Sequence, residues 1–178
     1  MEEISLHILD IAENSIRAAA TRIEIVLTRD RAKDLLRIEL IDDGKGMDAG
    51  TLARVRDPFF TTKKKKTGLG IPLLAQAAEL TGGTMSVDSA PGKGTRVSIV
   101  FTWSHVDRPA IGSMTDTLMT LIAGHPDLDY IYEERDDGRV FRFDTREIKN
   151  DLEDVPINAP EALAAIRGML QEQIKFEM

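Results

Sequence analysis

The most constraining feature of this 178-residue chain is its first helix-like segment, EISLHILDIAENSIRAAA (3–20). At 100° per residue, Ile4, Ile8, Ile11, Ser15 and Ala19 cover one side. Leu6, Leu9, Ile16 and Ala20 cover much of the rest. The polar residues His7, Asp10, Asn14 and Arg17 crowd into one narrow stripe. A surface helix normally shows a broad polar face. Either this helix is buried with its stripe turned to a cavity, or the stripe is its solvated edge.

Two strand-like runs follow, RIEIVLT (22–28) and LLRIELI (35–41), alternating apolar and polar around the polar loop DRAKD. DDGKGMD breaks the alternation, and a short helix is expected over Asp48 to Val55. A helical pattern returns over Ile71 to Leu80 and stops at Gly82-Gly83. TMSVDS (84–89) and TRVSIVFTW (95–103) read as strands joined by APGKG. Helix, hairpin, loops, helix and hairpin suit an α+β two-layer sandwich, a mixed sheet with helices on one face. After the linker-like SHVDRPAIGS, a second unit reads as a helix (114–124), strands 128–134 and 139–145 around an Asp-Gly turn, and a terminal helix over 160–178. The expected division is 1–104 and 105–178, the second part a small helix–hairpin–helix extension.

The charge is divided along the same line. Of a net −7, residues 105–178 carry 16 acidic against 8 basic groups, whereas residues 1–104 are nearly balanced. An acidic second part argues against nucleic acid, which needs a basic footprint, and points to a protein partner. No apolar run approaches the ~20 residues of a membrane span, and the acidic N-terminus has no basic n-region. The expectation is a cytoplasmic protein that engages no membrane. Cysteine is absent, which removes disulfides, thiolate metal sites and Cys nucleophiles.

The chemistry therefore falls to carboxylates, amides, cations and glycine-rich turns. Asp42-Asp43-Gly44-Lys45-Gly46 follows a strand and precedes a helix, and Gly68-Leu69-Gly70 opens another helix directly after Lys63 to Lys66. Helix N-termini attract anions, so this second group suits a polyphosphate. No Walker motif is present, and the first Gly-x-Gly lacks the third glycine of a dinucleotide fingerprint.

In this order the residues resemble the GHKL ATPases (DNA gyrase B, Hsp90 chaperones, sensor histidine kinases and MutL proteins). Asp10-x-x-x-Asn14-x-x-Arg17 is similar to their N box, and Asp42-Asp43-Gly44-Lys45-Gly46-Met47 to their first glycine box. Asp57-Pro58-Phe59-Phe60-Thr61-Thr62-Lys63 is similar to the F box of sensor kinases. Thr67-Gly68-Leu69-Gly70-Ile71 and Gly92-Lys93-Gly94-Thr95 resemble the second and third glycine boxes. The resemblance covers residues 3–103 and implies a Bergerat fold that binds ATP or ADP with Mg²⁺. It implies Asn14 as the Mg²⁺ ligand, Arg17 on the phosphates, and Asp42 accepting from the adenine amine. Gly44 and Gly46 would let backbone approach the purine, and Met47 would pack on it. Thr95 would fix Asp42 and a water. Gly68, Leu69 and Gly70 would cradle phosphates, and Thr61 to Thr67 would form a lid. Phe59, Lys63 and Thr67 are carried over as contacts from the matching boxes.

Asp10 stands where hydrolytic members and serine-kinase anti-sigma factors carry a glutamate as general base. It is one methylene shorter. His7 lies one turn further out on the stripe and reads as a polar core histidine rather than a phosphoacceptor. The resemblance implies an ATP-dependent kinase acting in trans on a protein acceptor, His or Ser. A nucleotide switch that hydrolyses or only binds ATP is the alternative. A homodimer is compatible with either, and the family says nothing of residues 105–178.

Overall fold

The computed structural model describes residues 2–55 and 70–176. The elements are α1 (Ile4–Arg17), β1 (Arg22–Asp30), β2 (Leu35–Asp42), α2 (Ala49–Arg54), α3 (Gly70–Leu80), β3 (Thr84–Ser89), β4 (Thr95–Thr102), α4 (Met114–Gly124), β5 (Asp129–Asp136), β6 (Arg139–Asp144), α5 (Thr145–Leu152) and α6 (Pro160–Gln173). They build one six-stranded sheet in the order β3-β4-β2-β1-β5-β6. All pairings are antiparallel except β1 with β5.

Alternation decides which face is covered. Ile23, Ile25 and Leu27 lie across from Asp42, Leu40 and Ile38, and these from Thr95, Val97 and Ile99. The apolar members of that set are at most 1% exposed. The opposite face carries charge, for instance the Glu39–Arg96 ion pair between adjacent strands. Helices α1 and α3 pack on β2, β3 and β4, and α4 packs on α1 and α6. This is the expected mixed sheet with a helical layer.

α1 ends at Arg17, three residues before the sequence pattern fades. Ala19 takes φ +59, and the Ala20 N–H reaches back to the Ser15 carbonyl at 3.1 Å. That is the left-handed helix stop usually built on glycine. The terminal helix stops at Gln173 rather than running to 178. Ile174 is extended, and the Lys175 N–H donates to the buried carboxylate of Glu134 at 3.0 Å. Phe176 is thereby set 6.5 Å from the Trp103 ring. Helix α5 was not expected at all.

The helix–hairpin–helix extension (α4, β5, β6 and α6, with α5 added) contributes its hairpin to the same sheet. β5 lies parallel to β1 over eight residues, Arg22–Arg29 against Asp129–Asp136, so the sheet runs on without a seam. Met114, Leu118, Leu121, Ile122, Tyr130, Tyr132, Ile166 and Leu170 share one buried cluster with Ile4, Ile8, Ile23 and Ile25. The segment before α4 also completes α1. Glu3 makes no side-chain cap; instead Ile4 N–H donates to Ala110 O at 2.9 Å and Ser5 N–H to Ile111 O at 2.8 Å. Thr117 Oγ1 donates to Ser5 O at 3.1 Å. Orphan donors at a buried helix start need such partners.

Candidate functional site

The site is assembled where α1, the end of β2 and the β3–β4 turn meet. Asp42 is the last residue of β2 and is 8% exposed. Its Oδ1 accepts from Gly44 N–H at 2.9 Å. Its Oδ2 accepts from the Ser15 hydroxyl of α1 at 2.5 Å. Asp43, its neighbour, does structural work. It accepts from Thr21 N–H (2.7 Å), Thr21 Oγ1 (2.5 Å) and Arg22 N–H (2.9 Å), which fastens the start of β1. Partial burial opposes its charge, but those donors outweigh it and hold the carboxyl below its usual range.

The stripe on α1 resolves into two parts. His7 is buried at 1% exposure, and its Nδ1 has no hydrogen-bond partner among the described residues. Burial pushes its pKa down, against the opposing charges of Glu2 and Asp10. It is therefore a neutral, enclosed imidazole rather than an accessible phosphoacceptor. Asp10 and Arg17 are exposed, and Asn14 is half-buried. Arg17 Nη1 donates to Asn14 Oδ1 at 2.9 Å, so the amide oxygen already faces a cation. Gly70 opens α3 directly against Asp10. A Cβ there would stand 3.2 Å from the Asp10 Cβ.

The glycines fit together chiefly with one another. A Cβ on Gly46 (φ +69) would come 1.9 Å from Ala90 O, one on Gly94 (φ +73) 2.0 Å from Asp42 O, and one on Gly44 2.8 Å from Ala18 O. Chain packs on chain at all three points, so a side chain at any of them would meet backbone. Further bonds tie the turns: Lys45 N–H to Ala18 O at 2.8 Å, and Gly92 N–H to Lys45 O at 2.7 Å. Gly94→Ala is therefore expected to destabilise far more than Gly92→Ala. Gly92 shares the left-handed backbone (φ +75) but has open space around it. The milder change should cost about 1–2 kcal/mol, and the crowded one about 1–3 kcal/mol more. Paired thermal melts check the order.

Thr95 lies beside Asp42 across the β2–β4 ladder. Its hydroxyl meets Ser89 Oγ at 2.9 Å. Ser89 also donates to Gly94 O and accepts from Met47 N–H, both at 2.9 Å. Sequence reasoning missed Ser15 and Ser89. The signal for Ser89 was its place at the end of a strand opposite Thr95; Ser15 carried none beyond following Asn14. Met47 is half-buried at this junction. Phe59, Lys63, Thr67, Gly68 and Leu69, with the expected lid over Thr61 to Thr67, lie outside the described residues.

Among the described residues, no three His, Asp or Glu side chains cluster to hold a metal. The donor chemistry here is one amide oxygen, which suits Mg²⁺ taking its remaining ligands from phosphates and water. A separate cavity of about 160 Å³ between the starts of α1 and α4 shares no residue with this site. No helix among the described residues is long and apolar enough to cross a membrane.

Residues 2–105 match the family model for histidine kinase-, DNA gyrase B- and HSP90-like ATPases. The sensor protein kinase FleS of Pseudomonas aeruginosa is 37% identical over 93 residues, 52% of this chain and 23% of that protein. The sensor histidine kinase ZraS of Escherichia coli O157:H7 is 35% identical over 92 residues, 52% of this chain and 20% of that one. Sporulation kinase A of Bacillus subtilis is 32% identical over 101 residues, 57% of this chain and 16% of its own. The chain thus spans a quarter or less of the length of these relatives. The N-terminal domain of a DNA repair protein superposes with a TM-score of 0.56 at 14% identity, covering 80% of this chain and 52% of the other. At that identity the likeness is one of fold.

Proposed function

Because this chain belongs to the histidine kinase-, DNA gyrase B- and HSP90-like ATPase family, we propose that it binds ATP and Mg²⁺ between α1 and the glycine-rich turns and transfers the γ-phosphoryl group to a partner protein. The carrying observation is the buried Asp42 carboxylate, pinned by Ser15, the neighbour of Asn14 on α1, and by Gly44. A carboxylate with free lone pairs accepts from an adenine amine. Asn14 holds Mg²⁺ through the amide oxygen that Arg17 now contacts. Arg17, displaced, is left to neutralise phosphate charge. Mg²⁺ held there would supply charge neutralisation to the phosphates. Asp10 takes the proton from an acceptor hydroxyl or from water, and an imidazole acceptor would need no such base. Kinase activity in trans is favoured over a switch because the relatives that match are sensor kinases.

Calorimetry tests the binding half. Asp42→Ala is expected to weaken ATP by about 10- to 150-fold, the worth of a hydrogen bond to a charged group. Asn14→Ala should weaken MgATP much more than metal-free ADP. Wild-type affinity in Asp42→Ala would remove the adenine assignment.

A further inference from the structure

We propose that Ser15 is a specificity-determining positioning residue, which sets how the nucleotide base is read by fixing the Asp42 carboxylate. The inference rests on the nucleotide reading above and deepens it.

Ser15 is 3% exposed in the last turn of α1. A hydroxyl has one proton, and two acceptors lie within its reach. Ile11 O, one helical turn back, is at 3.3 Å, and Asp42 Oδ2 is at 2.5 Å. A helical serine ordinarily bonds back to that carbonyl. Here the shorter contact to an anionic acceptor takes the proton, since charge-assisted bonds are the stronger ones. Gly44 N–H holds the other oxygen. Two donors, one from α1 and one from the loop after β2, thus grip different oxygens of the same carboxylate. Turning the carboxylate about its own axis breaks both bonds. An ionised carboxylate has about four acceptor sites. Two are spent, and the rest point where the grip aims them. An exocyclic amine finds an acceptor there, whereas a keto oxygen meets oxygen. Ser15 also follows Asn14 directly, so the residue that aims the base reader and the residue offered to Mg²⁺ move as one piece of helix.

The test is binding of ATP and of purine riboside 5′-triphosphate, which lacks only the 6-amino group, to the full chain and its variants. Ser15→Ala should weaken ATP about 10-fold or more and change the amine-free analogue less than about 3-fold. Ser15→Thr, which keeps the hydroxyl, should restore the wild-type ratio. In an Asp42→Ala background, Ser15→Ala should have no further effect on ATP. Should Ser15→Ala fail to fold, Ser15→Cys, a far weaker donor, carries the same comparison. Equal losses for both nucleotides, or unchanged ATP affinity, would overturn the assignment while leaving the nucleotide site intact. A wild-type chain that binds neither nucleotide would overturn the proposed function itself, and this inference with it.

Discussion

A chain cut after Trp103 is expected to lose cooperative folding and nucleotide binding together. The family model ends at residue 105, yet the physical unit does not. Removal of β5 strips β1 of its partner over Arg22–Arg29 and leaves a long bare edge, a template for aggregation. Removal of α4 takes away the helix packed on α1, and with it Leu118, Leu121 and Ile122, which are at most 1% exposed in the cluster shared with α1. Each such buried side chain is worth about 1.5–3 kcal/mol, so three approach the ~5–15 kcal/mol that a whole domain commands. The Ile4 and Ser5 N–H groups lose Ala110 and Ile111 as well. The expected readouts are aggregation or a melt without a sigmoidal transition, and no heat on ATP titration. A monomeric fragment with a cooperative melt and wild-type ATP affinity would mean that residues 105–178 are a separable accessory.

The second large effect is kinetic. Asp10→Asn is expected to keep ATP affinity within a few-fold and to lower hydrolysis or hydroxyl-directed transfer by about 10²–10⁴, the usual contribution of a general base. Asp10 is exposed on the same stripe as Asn14, against Gly70 at the start of α3. An amide there is nearly isosteric and cannot take a proton. Single-turnover measurements with labelled ATP separate binding from chemistry. Undiminished turnover would make Asp10 a packing partner of Gly70. In a chain with a histidine acceptor, transfer would survive the change while release to water would fall.

The parts of the fold written locally were legible. The α1 stripe and the strand alternation follow from periodicity, whereas the assignment of Asp10, Asn14, Arg17 and Asp42 to one site came from the resemblance of the ordered motifs to a family. What was illegible is non-local. Ser15 counted as a small residue on an apolar side, because its partner stands 27 positions away. Nothing in DYIYEERD announces that it lies parallel to RIEIVLTR rather than forming only a hairpin with β6. The Ser89–Thr95 hydroxyl contact beside Asp42 likewise depends on a strand pairing that no local pattern announces. Helix α5 was overlooked because TREIKNDL offers only two large apolar residues, Ile148 and Leu152, to show a helical period. Asp144, which caps it by accepting from Arg146 N–H at 3.0 Å, with Glu147 three residues on, was the available signal.

The parallel β1–β5 pairing also dictates a schedule. The paired residues are 107 positions apart in the chain. At a synthesis rate of about 5–20 residues per second, β1 waits roughly 5–20 s for its neighbour to emerge. Over that interval the nascent chain holds Ile23 and Ile25 against one strand only. The first turn of α1 also has no carbonyls to receive it until residues 110–111 have left the ribosome. Contacts this distant raise contact order and slow folding. Helix α1 is thus made well before it is secured, and substitutions in β5 should delay the appearance of the proposed ATP binding during refolding even where the final affinity is unchanged.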